Sequence, residues 1–343
     1  MRILVLGDIH LRDNVAEDYL DTQVQTLLDI WEKEDRPDRV VFLGDIFHYR
    51  KPTPKVLLKT GFLFKTISAH SNIDVVVGNH DQATKADDGV TALSLFESDK
   101  IRIWNNSGGD HDLGFYYIPY FENEKIIVKC LEAVPDGFTL FGHFAFDGCI
   151  NAVGSYDFSI PTSCARNSGF LGHIHQHFIK TSGGRDLASP KNNLIFMGTP
   201  YPTMFTEAGK DHYYGLLTGV SMNWDTDIRK IDFGIRYMDI QFSDLESYMD
   251  TLFDPNYYTL LRVHMQAYEN ADSGNIRDLD KLPFVEYVYD PLIKEDEISD
   301  LNIEDQISII DDSLIEKYVS EQSTNLEESD ILKGLELLKK DEY

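Results

Sequence analysis

The chain has 343 residues, enough for one large domain or two to three smaller ones, and 42% hydrophobic and 12% aromatic residues supply a sizeable core. Its formal net charge of −27 speaks against a protein that grips DNA by its own electrostatics, because such affinity comes mostly from neutralising phosphates. No apolar run approaches the roughly 20 residues that span a bilayer. Strand-forming residues follow Met1 too closely for a secretory leader, and Cys130, Cys149 and Cys164 form no CxxC pair, so a reducing, cytoplasmic setting without membrane contact is expected.

In chain order, a strand at Leu4–Leu6 leads to a helix through roughly Glu17–Glu34, with Tyr19, Val24, Leu27, Leu28 and Trp31 on one face. Val40–Leu43 is the next strand; Pro52 and Pro54 open a helix over Lys55–Ala69, and Ile73–Val77 follows as a third strand. This βαβαβ order predicts a mostly parallel sheet. From Ile101 the texture changes to short strands at Leu113–Phe121, Phe138–Phe141, Leu194–Met197, Tyr213–Val220 and Arg229–Phe233. They predict a second, more antiparallel sheet packed on the first.

Met238–Phe242 and Thr259–Gln266 read as strands around a helix capped by Ser243 and running to about Leu252, a small α+β unit. Beyond Asp290 the chain is strongly acidic. Ile303, Ile307, Ile310, Leu314, Ile315 and Tyr318 recur at helical spacing, as do Ile331, Leu332, Leu335, Leu337 and Leu338, so two acidic amphipathic helices are expected. The resulting division is 1–234, 235–290 and 291–343.

One pattern recurs through the first two thirds: an apolar strand ends in Gly, and the next loop carries Asp, Asn or His. It appears as LVLGDIH at Leu4–His10, VVFLGDIFH at Val40–His48, VVVGNHD at Val75–Asp81, LFGH at Leu140–His143 and FLGHIH at Phe170–His175. A single Asp after Gly is usually a turn or cap. Five such motifs bring together Asp8, His10, Asp45, Asn79, His143, His173 and His175, a mixed oxygen and nitrogen set that suits two adjacent divalent cations such as manganese, iron or zinc. Asp45, in the central motif, has two oxygens to share between them.

The series GDIH, GDIFH, GNHD, GH and GHIH resembles the calcineurin-like metallophosphoesterases over about Met1–Phe233. Within that superfamily the chain is most similar to the SbcD-type nuclease subunit of the DNA double-strand-break repair complex and its phage recombination counterparts. Arg50-Lys51-Pro52 after GDIFH and Gly198-Thr199-Pro200-Tyr201-Pro202 carry the narrower likeness, together with the order of nuclease domain, cap and helical tail. The resemblance implies an α/β, four-layer sandwich of two mixed sheets flanked by helices. It also implies that Asp8, His10 and His175 hold one metal, that Asn79, His143 and His173 hold the other, and that Asp45 bridges. His80 then resembles the histidine that orients the phosphate and protonates the leaving oxygen, with His48 as its supporting partner. For His80 a hydrogen bonder behind a ligand is the alternative. His177 extends the last motif as a supporting or structural residue.

Arg12, Arg50, Lys51, Lys55 and Lys85 lie beside the ligand loops, where phosphate-backbone contacts are expected, and Tyr201 and Phe205 are candidates for stacking on a base. The resemblance implies a manganese-dependent exonuclease and endonuclease acting on DNA, partnered by an SbcC-type ABC ATPase that the tail binds at its coiled coil. It also implies a homodimer through the helices near Val56–Ile67 and Val90–Phe96. Two rival readings are a small-substrate phosphatase or phosphodiesterase and a scaffold for the ATPase.

Overall fold

The alternation of apolar runs and helical faces gives β1 (Arg2–Leu6), α1 (Tyr19–Lys33), β2 (Arg39–Phe42), α2 (Pro54–Ser68), β3 (Asn72–Val76) and β4 (Ile101–Trp104) in the computed structural model. The structure describes residues 1–150, 154–155, 158–182, 192–266 and 279–290. The expected tail helices at 303–318 and 331–338 lie outside the described residues. Thr53 starts α2 where Pro54 occupies the first turn, its hydroxyl accepting from the Val56 N–H, as helix N-termini require. β1, β2, β3 and β4 pair in parallel, as the βαβαβ order predicts.

Further along come β5 (Gly108–Asp110), β6 (Phe115–Ile118), α3 (Glu124–Ala133), β7 (Thr139–Gly142), β8 (Gly169–Leu171), β9 (Phe178–Ser182), β10 (Asn192–Phe196), β11 (His212–Val220) and β12 (Asn223–Ile231). The order β12-β11-β1-β2-β3-β4 makes one six-stranded sheet and β5-β6-β7-β8-β10-β9 the other. The second sheet is less antiparallel than its short strands suggest. β6, β7, β8 and β10 run parallel, and only the outer pairs β5/β6 and β10/β9 are antiparallel. The cause is α3, capped by Asn123, which carries the chain back between β6 and β7 as a crossover.

Apolar packing stacks these elements in four layers. Trp31, Leu27, Phe64 and Leu63 of α1 and α2 cover one face of the first sheet. Val5, Val41, Val76, Phe141 and Phe170 fill the space between the sheets, and Ile127 and Leu131 of α3 cover the far face of the second. This is an α/β fold of two mixed sheets flanked by helices.

β13 (Gly234–Gln241), α4 (Met249–Leu252), β14 (Tyr257–Gln266) and β15 (Phe284–Asp290) complete the described chain as a three-stranded parallel sheet. Where one helix to Leu252 is expected, Phe242–Tyr248 is instead a 3-10 turn before the short α4. Ser243 does not cap it: its hydroxyl goes to the Asp244 carboxylate, the local bonding that makes serine compete with helix.

One buried carboxylate ties the two sheets together. Asp74 on β3 accepts from Trp104 Nε1 at 2.9 Å and from the Tyr117 hydroxyl at 3.2 Å, and pairs with the Arg39 guanidinium. Replacing it strands a cation and two donors. Asp74→Ala is therefore expected to lower the free energy of unfolding by roughly 3–5 kcal/mol, the usual cost of stripping a buried pair of one partner. Urea denaturation measures this, and a loss below about 1 kcal/mol, the range of an exposed pair, would show that the sheets hold without it.

Candidate metal centre

Every motif residue sits at the carboxyl end of a parallel strand, where open α/β sheets bind ligands. Asp8 and His10 follow β1, Asp45 and His48 follow β2, and Asn79 and His80 follow β3; His143 follows β7, while His173 and His175 follow β8. The two sheets thus deliver the set from opposite sides. The strand-ending glycines are there because the loops press so close. A Cβ on Gly78 would collide with the Asp45 carboxylate, and one on Gly172 with Asp8 Oδ1 and His143 Nδ1. His10, Asp45 and His173 themselves hold left-handed backbone, with φ of 43°, 48° and 77°, the kind of strain that gathers at functional sites. Because Gly172 ends β8 and His173 turns left-handed, the GHIHQH segment is a loop and strand alternation does not govern it.

Asp45 lies between two clusters. Its Oδ2 is 3.6 Å from His10 Nε2, and its Oδ1 is 3.5 Å from His143 Nε2. On one side His10 Nε2 and His175 Nε2 are 3.0 Å apart, with Asp8 in the same group. On the other, Asn79 Oδ1 lies 3.0 Å from His143 Nε2 and 3.1 Å from His173 Nδ1. Asp8 touches both clusters, since Asp8, Asp45 and His143 also converge. His143 Nδ1 donates to the Leu43 carbonyl at 2.7 Å, so its Nε2 keeps a lone pair facing the cluster.

His80 donates its backbone N–H to Asp45 Oδ1 at 2.8 Å, and its Nδ1 meets the His48 carbonyl at 2.6 Å. The link between the two histidines therefore runs through the His48 backbone. The His48 ring faces Arg12, whose Nη1 lies 3.3 Å from its Nε2.

The electrostatics describe a site short of positive charge. Burial, then the neighbouring Asp45 carboxylate, pushes Asp8 well above the usual carboxylate range. Burial also opposes ionisation of Asp45, but His143 and His80 outweigh it and its carboxyl stays low. Burial drives His10 well down, with crowding by His175 adding to it, and holds His143 at about 4. Burial and then the Arg12 charge take His48 to about 4. Neutral imidazoles beside buried carboxylates are the protonation states that metal ligation needs. His10 Nδ1 is buried with no partner, and two imidazole nitrogens face each other at 3.0 Å. This donor set fits divalent cations.

Two residues of the site carry no role in the sequence reading. Glu207 is buried, and its Oε1 receives His175 Nδ1 at 2.7 Å, which turns His175 Nε2 toward His10. Burial raises its carboxyl, but the bond to His175 and the Thr203 N–H bring it below the usual value. Asp81 ties two ligand loops together by accepting from the Gly78 and Phe47 N–H groups, each at 3.0 Å, and burial beside Asp45 pushes it up to about 8. Its signal was in the sequence, as the last letter of GNHD. Glu207 had none.

The expected substrate contacts divide. Arg50 donates to the Gln82 and Thr84 carbonyls, each at 3.3 Å, Lys51 is exposed, and Lys85 pairs with Glu122 at 3.7 Å. Lys55 reaches the Glu17 carbonyl at 3.5 Å. Tyr201 is buried, its hydroxyl donating to the Ile9 carbonyl at 2.6 Å, so it offers no face to a base. Phe205 packs edge-on to Tyr237 with Arg262 over its ring. His177 donates Nδ1 to the Phe196 carbonyl at 2.8 Å and packs on Tyr213, a structural place.

Because Glu207 orients the candidate ligand His175 without belonging to the donor set, Glu207→Ala is expected to weaken divalent-cation binding by roughly 10–100-fold. Calorimetric titration of metal-free protein with a divalent cation measures it; unchanged affinity would separate Glu207 from ligation.

A search of curated sequences returns no match. Among solved structures, the nuclease MPE of Pseudomonas putida aligns over 67% of this chain and 87% of its own, with 14% identity and a TM-score of 0.31. A single mutant of Vps29 from Entamoeba histolytica aligns over 68% and 100%, with 12% identity and a TM-score of 0.31. The family model for calcineurin-like phosphoesterases matches residues 1–217, well over half of the chain, and the chain belongs to that family.

Proposed function

We propose that this phosphoester hydrolase is a manganese-dependent DNA nuclease of the SbcD type, cutting phosphodiester bonds as an exonuclease and endonuclease in recombination, repair or end processing. The placement of Asp45 carries the two-metal reading, one carboxylate oxygen toward His10 and the other toward His143. Asp8, His10 and His175 would hold one cation, Asn79, His143 and His173 the other, with Asp45 between. Bound there, the cations supply charge neutralisation for the phosphodiester and a water nucleophile at neutral pH.

The chain's own residues supply the rest. His80 is fixed at Nδ1 by the His48 carbonyl and at its backbone N–H by Asp45, so Nε2 is the nitrogen that exchanges a proton with the leaving oxygen. Glu207 holds His175, and Asp81 keeps the loops after β2 and β3 in register. DNA as substrate is supported by Arg50 and Lys51 on the ligand loop and by the sequence segments beyond 234. The acidic amphipathic stripes after 290 fit an SbcC-type ABC ATPase, bound helix-in-groove. A homodimer is supported by the outer face of α2 and the turn at Ala92–Phe96, where Leu58 is 75%, Phe62 56% and Leu95 74% exposed.

Incubating the protein with manganese and either linear duplex DNA or p-nitrophenyl esters tests the substrate. Cleavage confined to the esters would turn the reading to a small-substrate phosphodiesterase. Asp45→Ala is expected to remove both metals, whereas His175→Ala weakens one. Elemental analysis after desalting decides, and two metals retained in Asp45→Ala would sink the bridging role. His80→Gln is expected to keep its metals and lose roughly 10²–10⁴-fold in turnover, the usual cost of a missing general acid. Turnover near that of the parent would demote His80 to a supporting residue, and loss of metal would make it a ligand.

A further inference from the structure

Arg12 lies two residues from His10 on the loop after β1, yet it is no surface lysine-like contact. Its partners are all neutral. Nη2 donates to the Tyr237 hydroxyl at 3.0 Å and to the Thr203 carbonyl, Nη1 stands 3.3 Å from His48 Nε2, and the guanidinium lies 5.5 Å from the centre of the Tyr19 ring. Among the described residues no carboxylate pairs with it, and its Nε is buried without a partner. A cation kept this far inside a chain of net charge −27, without an anion, needs a reason.

The reason is on the other side of the guanidinium. Arginine has donors and no acceptor, so His48 Nε2 must accept. A neutral imidazole accepting at Nε2 carries its proton on Nδ1. That nitrogen is buried and has no partner, so its N–H is enclosed by the protein and Arg12 alone sets the tautomer. The His48 ring is 5.4 Å from the His10 ring and 6.1 Å from that of His80, whose own Nδ1 rests on the His48 carbonyl. Tyr237, the anchor at the far end, belongs to β13 and also donates to the Tyr19 hydroxyl at 3.2 Å.

We propose that Arg12 is a positioning residue that locks His48 in its neutral Nδ1–H form, fixing the ring beside His10 and the backbone carbonyl on which His80 rests, and that Tyr237 ties this setting to the three-stranded sheet. The effect on cleavage rests on the hydrolase reading above; the tautomer does not. Lysine cannot replace Arg12, because it keeps the charge but not the rigid fork that reaches His48, Thr203 and Tyr237 together.

Long-range proton–nitrogen correlation spectra of the full chain, labelled with 15N-histidine and free of added metal, read the tautomer directly. The His48 signals are assigned by their loss in His48→Gln. The parent protein is expected to show the proton on Nδ1. Arg12→Leu is expected to move it to Nε2 or to an average of both, and to lower kcat for manganese-dependent cleavage by roughly 10–100-fold with KM unchanged. Arg12→Lys is expected to show the same tautomer loss in smaller measure, and it serves if Arg12→Leu does not fold. A parent His48 protonated on Nε2, or an unchanged Nδ1–H pattern in the Arg12 variants, would overturn the proposal. A parent protein that cleaves neither DNA nor esters would instead overturn the hydrolase reading and leave the tautomer result standing.

Discussion

Asp8 and Asp45 are buried together, and the mutual repulsion of two carboxylates in a dry setting is the constraint around which the site is arranged. Among the described residues no lysine or arginine answers it. Six imidazoles stand around the pair, and burial holds His10, His48 and His143 in the neutral form. What relieves such an arrangement is positive charge from outside the chain. The family to which the chain belongs uses divalent metals, and the converging donor atoms and the left-handed backbone at the candidate ligands His10, Asp45 and His173 fit that need.

Rigid support comes from polar groups placed well away from the chemistry. Asp74 joins the sheets at β3, and Glu34 at the end of α1 receives Arg2, Arg229 and the Tyr214 hydroxyl at 3.0, 2.7 and 2.6 Å. A single carboxylate there connects α1 to β1, β11 and β12. Holding the strands in this way fixes where their carboxyl ends lie, and therefore where loops as short as Gly44-Asp45 can deliver a ligand.

Much of this was legible because the informative signals are local. Each strand–Gly–ligand motif spells its own strand, its break and its donor within a few residues, so the sheet edge and its side chains could be read together. The direction of the second sheet could not, because it turns on α3, whose Asn123 cap and short apolar face are easily passed over among strands. Glu207 was invisible for a different reason. Its meaning lies in a contact with His175 across 32 residues, and no spacing rule encodes it. The same holds for Tyr201, where burial against Ile9 and Gln23 decides that an apparent stacking residue is core. Arg12 looked like a surface cation for want of any sign that Tyr237 would reach it.

The position of β1 has a consequence for how the chain acquires this architecture. Residues 3–6 pair on one side with β2, and residues 2–5 on the other with residues 215–218 of β11. Until β11 has left the ribosome, β1 is an edge with unsatisfied backbone groups, and Asp8 and His10 stand beyond that unfinished edge. Closing such a distant contact costs chain entropy before any packing is gained, so the step is inherently slow. Assembly of the metal-binding edge is therefore coupled to the last strands of the two-sheet core. A nascent or truncated chain lacking β11 would carry all seven candidate ligands in its sequence and still have no finished site to hold them.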